Sequence, residues 1–242
     1  MTKLLPNLKI DPENLAERVL VCGDPGRAKK IASLLDDMTT LAENREYHSF
    51  TGFWNGIKVS VVSHGVGAPG AAVCFEELIM GGATSIIRVG TAGSYQKEVT
   101  PGSLVISTAA VRCDGLTSQL VPAGFPAVAD RQIIGSLLKA ASQQKEDLSV
   151  KEGITLTLDA FYSGVIEFPH QLYKKAGVVA VEMENSALFV IAALKGVKAG
   201  AILAIDGFAD ADLREDYNPN TDLVAKAIEA EALVALNAIT TV

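Results

Sequence analysis

An α/β fold is what this chain predicts: one domain over 1–242, with a central, mixed and largely buried β-sheet flanked by helices. Three observations carry the expectation. Apolar β-branched runs alternate with helical patterns through most of the chain. Several of those runs are apolar on both faces, as strands buried between helix layers must be. No linker, internal repeat or low-complexity stretch divides the sequence.

In chain order, the run Arg18-Val-Leu-Val-Cys22 predicts a buried strand, and the segment after Gly-Asp-Pro-Gly predicts a helix over 27–35. A strand at 50–54 follows the polar cluster Asn44-Arg45-Glu46-Tyr47-His48, and another is expected at 58–63. Gly65-Val66-Gly67 then introduces a helix over 68–80. Strands at 85–89 and 103–110 lead to a helix over 130–143, and strands at 153–158 and 178–182 follow. The helix over 185–195 meets Gly196, a residue suited to a left-handed C-cap. A strand at 198–205 and a helix over 221–239 complete the series.

Composition narrows the function. At 242 residues and 49% hydrophobic, with one Trp, the chain supports a sizeable Ala/Val/Ile/Leu core. A net charge of −7, a pI near 5.0 and no long basic stripe argue against nucleic acid as a partner. No apolar stretch reaches the roughly 18–20 residues a bilayer span needs, and nothing points to a membrane surface. The N-terminus lacks a signal-peptide pattern. Cys22, Cys74 and Cys113 are scattered and odd in number, which points to reduced thiols and a cytoplasmic location, with no disulfide framework or zinc site. No cofactor and no metal is expected.

Two glycine-rich turns carrying arginine are expected, at Gly23-Asp24-Pro25-Gly26-Arg27 and at Gly90–Gly93 in Arg88-Val89-Gly90-Thr91-Ala92-Gly93. Glycine lets a backbone approach a ligand closely, helix N-terminal amides attract anions, and guanidinium matches phosphate oxygens. An ordinary strand-to-helix turn with a surface arginine competes evenly at Arg27. Arg88, at the end of a buried strand, favours an anion over a structural ion pair, because an unpaired buried charge is costly. The expected anion is inorganic phosphate as a substrate. Gly65-Val66-Gly67-Ala68-Pro69-Gly70 has dinucleotide-fingerprint spacing. A NAD site, however, wants an acid about 20 residues on. This chain has Arg88 there, which suits only a 2′-phosphate, so a nicotinamide-dependent oxidoreductase ranks last.

Glu182-Met183-Glu184 places two carboxylates around a thioether where a strand passes into a helix. Such groups suit sugar hydroxyls and a ribose or base face, while acids complementing a helix N-terminus are the competing reading. Asp206 ends another buried strand, where burial would favour a proton donor; a turn or N-cap aspartate competes. His64 reads as a satisfied histidine and His170 as a surface residue.

Taken together, Gly-Asp-Pro-Gly-Arg, Asn-Arg-Glu-Tyr, Ser-His-Gly-Val-Gly, Ile-Arg-Val-Gly-Thr-Ala-Gly, Val-Glu-Met-Glu and Ile-Asp-Gly resemble, in order, the hexameric-type nucleoside phosphorylases, the purine and uridine phosphorylase family. The resemblance covers essentially the whole chain. Asn44–Tyr47 and Cys74-Phe75-Glu76-Glu77-Leu78 are most similar to the purine enzymes of apicomplexan parasites. It implies phosphate-dependent cleavage of a purine nucleoside to free base and ribose 1-phosphate, a step of purine salvage. By resemblance, Gly23, Arg27, Arg88 and Thr91 hold phosphate, and Arg45 completes the clamp from a neighbouring subunit of a homo-oligomer, expected as a hexamer. Glu184 holds the ribose hydroxyls, Met183 packs on the sugar, Glu182 lines the site, Phe161 stacks on the base, and Asp206 serves N7 of the departing purine. Arg214 would assist that proton transfer.

The chain also departs from the family. Asn7 stands where many relatives carry a histidine that reaches a neighbour's ribose 5′-hydroxyl. Val165 and Glu167 replace the Gln-x-Arg pair with which uridine phosphorylases read uracil, and the 208–217 segment differs from the nearest relatives. Uridine phosphorolysis on the same fold, and a non-catalytic nucleoside-binding protein, are the alternatives.

Overall fold

The computed structural model describes residues 3–144, 149–210 and 218–242. Its strands form one mixed sheet. The centre is β1 (Arg18–Cys22), paired in parallel with β4 (Ile57–Ser63) on one side and β5 (Ser85–Ser94) on the other. Beyond β4, the antiparallel strands β3 (Tyr47–Trp54) and β2 (Asp36–Asn44) form the outer edge. On the other side, β5 pairs with both β10 (Lys198–Phe208) and β9 (Ala180–Glu182). Because β10 also pairs with β6 (Leu104–Cys113), β6 with β8 (Val150–Leu158), and β8 with β9, these strands close into a ring. A short β7 (Ala127–Val128) flanks β6.

The period of two in β1 explains the layers. Val19 and Val21 face a core shared with α2 (Ala68–Met80) and α6 (Asn185–Lys195). Leu20 and Cys22 face the opposite core, built with α1 (Pro25–Ala32), α4 (Arg131–Ser142) and α7 (Asp222–Ile239). The strand is therefore apolar on both faces. Two short helices, α3 (Thr117–Leu120) and α5 (His170–Lys175), lie among the connections.

Several sequence expectations are corrected. The edge strand β2 was not foreseen: six of its nine residues are not apolar and most of it is exposed, so no alternation marks it. Helix α1 starts earlier than expected, with Pro25 in its first turn, where the missing amide hydrogen costs nothing. Gly90–Gly93 is not a turn but the interior of β5, and β10 runs past Ile205 to Phe208. Both α2 and α6 have the expected bounds, and Gly196 caps α6 in the left-handed region at φ 69°.

Candidate active site

The strand ends converge on one open cleft of about 1330 Å³. Gly23, Arg27, Arg88, Thr91, Phe161, Glu182, Met183, Glu184 and Asp206 all line it. They come from five strands and the turns that follow them: Gly23 and Arg27 after β1, Arg88 and Thr91 from β5, Phe161 after β8, Glu182, Met183 and Glu184 at the end of β9, and Asp206 from β10. Strand ends are the usual ligand position in open α/β sheets.

The arginine-bearing turn after β1 is set by Asp24. Its carboxylate accepts the Arg27 amide at 2.5 Å and caps α1, so the Arg27 side chain leaves from the first turn of the helix. Gly23 lies against the turn after β4, where a Cβ would sit 3.1 Å from the Gly65 carbonyl oxygen. The Arg27 guanidinium, about four-fifths buried, approaches the fully buried Glu231 carboxylate of α7 at 3.8 Å.

Arg88 is held in the middle of an acid pair. It bonds Glu184 closely, lies 3.6 Å from Glu182, and donates to the Asn185 side chain at 3.3 Å. Its Nε–H, fully buried, has no partner among the described residues. The guanidinium also lies over Gly90, where a Cβ would meet its Nη1 at 2.6 Å, so any larger residue there would have to push the Arg88 head aside. Glu184 uses its other oxygen to accept the Gly67 amide at the start of α2, at 2.6 Å. That amide, part of the dinucleotide-like glycine loop, is thus bound by an internal carboxylate.

The two glutamates differ in charge state. Burial pushes Glu182 up to about 7, against the pull of Arg88. Glu184 is held below the ordinary carboxylate range, since Arg88, His64 and the Gly67 amide together outweigh its burial. Glu182, not a helix-capping Glu184, receives the first amides of α6, at 2.6 Å from Glu184 and 2.7 Å from Asn185. Thr157 donates to its second oxygen at 2.5 Å.

Asp206 is neither a turn residue nor an N-cap. It sits in β10 where the pairing with β5 slips between Ile205 and Gly207. A bulge of this kind turns a side chain out of the strand's alternation, here to the cleft wall. Phe161 is half exposed and packs edge-on to Tyr162, with ring centres 5.1 Å apart.

Two predicted residues are elsewhere. Asn7 has its side chain bound to Glu77 at 2.6 Å, and its carbonyl accepts the Asn44 side chain. Arg45 is exposed at the β2–β3 turn, in the left-handed region at φ 56°. Neither lines this chain's cleft. Arg214 lies outside the described residues.

His170 is not the surface residue expected. It lines the cleft, its Nδ1 lies 2.7 Å from the buried Tyr95 hydroxyl, and burial holds its imidazole below the usual value. His64 is fully buried and its Nδ1 lies 2.9 Å from the Gly65 oxygen, but its Nε2 has no partner, so it is only half satisfied. Glu231 was missed. Its signal was available, because it falls on the stripe Val224–Ala227–Glu231–Val234 of an otherwise apolar face.

A glycine-arginine cradle and a carboxylate wall sharing one cleft at the sheet's strand ends describe an α/β enzyme that takes an anion together with a polyhydroxy ligand. The chain belongs to the Phosphorylase superfamily, whose family model matches residues 17–240. It is 42% identical over 241 residues to a purine nucleoside phosphorylase of Plasmodium falciparum, covering 98% of this chain and 96% of the relative. A uridine phosphorylase of Thermococcus kodakarensis is 38% identical, covering 94% of this chain and 83% of the relative. The crystal structure of purine nucleoside phosphorylase from Toxoplasma gondii in complex with immucillin-H superposes with a TM-score of 0.94 at 31% identity, covering 100% of this chain and 96% of that one.

Proposed function

We propose that this chain, read as one domain over 1–242, is a purine nucleoside phosphorylase, a pentosyltransferase that splits a purine ribonucleoside with phosphate. The observation that carries the reading is the meeting of Arg27, Arg88, Thr91, Phe161, Glu182, Met183, Glu184 and Asp206 in one cleft. It is supported by the 42% identity to the Plasmodium falciparum enzyme.

Phosphate would lie in the cradle of Gly23, Arg27 and Thr91, and draw on Arg88, whose buried Nε–H has no partner among the described residues. Glu184, charged and adjacent, accepts the ribose hydroxyls, and Met183 covers the sugar face. As the glycosidic bond breaks, its electron pair goes to the base, the sugar becomes oxocarbenium-like, and a phosphate oxygen forms the new bond to C1′. Preorganised charge around phosphate stabilises that state from one side. Asp206 donates a proton, or a hydrogen bond, to N7 of the departing purine from the other. Phe161 stacks on the base.

Asn7 and Arg45 serve a neighbour's cleft in this reading, and their position outside this chain's own cleft supports a homo-oligomer, with a hexamer as the form proposed. A cytoplasmic role in purine salvage belongs to the same proposal. A purine is preferred to uridine because Val165 is fully exposed and away from the cleft, while Glu167 brings a carboxylate to its wall. Chromatography of inosine and uridine reactions run side by side with phosphate tests the base. Hypoxanthine release with uridine left intact is expected; uracil release at an equal or greater rate overturns the purine assignment.

A further inference from the structure

Behind the cradle lies a carboxylate that the reaction does not use. Glu231 is fully buried in the middle of α7, and neither of its oxygens is in hydrogen-bonding geometry with any group among the described residues. Among the described residues its one ion-pair partner is Arg27, at 3.8 Å. A buried acid in this position is expensive to keep charged without that arginine. Arg27 is also the cradle's cation, and a guanidinium that turns to a phosphate gives up part of its hold on Glu231.

We propose that Glu231 is a positioning residue for Arg27, and that it takes up a proton from bulk solvent when an anion entering the cradle draws Arg27 away from it. Wherever Glu231 is charged before the anion arrives, anion binding and protonation of Glu231 are then one linked event. The inference rests on the anion-binding reading of the cradle and goes beyond it.

The groups around Glu231 fit this coupling. From α1 it faces Arg27, from β1 Cys22, from β5 Arg88 and from β10 Asp206. Burial pushes its carboxyl up to about 8, Arg27 pulls it down more than any other neighbour, the Ala204 amide and Arg88 pull less, and Asp206 pushes up. The Ala204 amide acts by proximity, since it falls short of hydrogen-bond geometry. Removing Arg27 and adding an anion both raise the carboxyl further. The Cys22 thiol, pushed up to about 12, stays neutral and does not compete for the proton.

Sulfate is the probe, because it stays dianionic where phosphate itself would titrate. Calorimetric titration of the intact protein with sulfate, in buffers of different ionisation enthalpy, reads affinity and proton uptake together. Above pH 8, where Glu231 loses its own proton, sulfate affinity is expected to fall about tenfold per pH unit, with one proton taken up. Glu231→Gln is expected to bind sulfate without that slope and without the uptake. Above pH 8, sulfate binding with no proton uptake in the unaltered protein overturns the coupling and leaves the anion site standing. A slope that persists in Glu231→Gln overturns it as well, by placing the proton elsewhere. Failure to bind sulfate or phosphate at any pH overturns the anion site itself.

Discussion

At the scale of single residues, the cleft works by unequal treatment of its acids. Glu184 is charged because Arg88 and an amide hold it so, whereas Glu182 and Glu231 are driven toward the neutral form by burial. Asp206 is set at the cleft wall by a bulge. Replacing it with alanine is expected to lower purine turnover by about 10²- to 10⁴-fold, the usual contribution of positioned acid catalysis, with the fold retained. Steady-state rates and circular dichroism check this, and unchanged turnover would remove Asp206 from the mechanism. Glu231 gives a stability signature of its own. Its folded-state value is raised from 4.5 to about 8, so its favourable contribution is complete below pH 4.5 and is lost as pH rises through about 8. Urea midpoints of the unaltered protein should therefore fall across that window more steeply than those of Glu231→Gln. Parallel curves would show that Glu231 ionises normally.

At the scale of elements, much was legible and the failures share a cause. The apolar runs of β1 and the glycine-bounded helices α2 and α6 carry their signals locally, in periodicity and caps. The motifs that place Arg27 and the Glu182–Glu184 pair at strand ends were readable for the same reason, whereas Arg88, expected at the end of its strand, lies within β5. Gly90 and Gly93 were misread as a turn because what they make room for is distant or out of line. The Arg88 side chain occupies the place of one Cβ, and the Ala209 backbone, 3.1 Å away, that of the other. His170 was misplaced because its partner, Tyr95, is far off in sequence. β2 gave no signal because an exposed edge strand needs no apolar face. Gly90→Ala tests the close approach in β5. It should cost about 1–3 kcal/mol of stability, as overpacking does, and displace Arg88, raising the phosphate KM. Thermal melting and phosphate titration read both effects; an unchanged melt and KM would mean that Arg88 moves aside freely.

At the scale of the whole molecule, the sheet gathers the cradle, the carboxylate wall and Asp206 in one cleft, but leaves Asn7 and Arg45 outside it. If those residues complete a neighbour's site, activity belongs to the assembly. Sedimentation with activity measured on each fraction should find turnover only in an oligomer, and an active monomer would end the cross-subunit role of Arg45. The central claim, a cleft in which a bound phosphate attacks the sugar while the base leaves, is tested most directly by hypoxanthine release from inosine with and without phosphate. Release that requires phosphate and yields ribose 1-phosphate in equal amount is the predicted result. Release at the same rate without phosphate, or none under either condition, would contradict it.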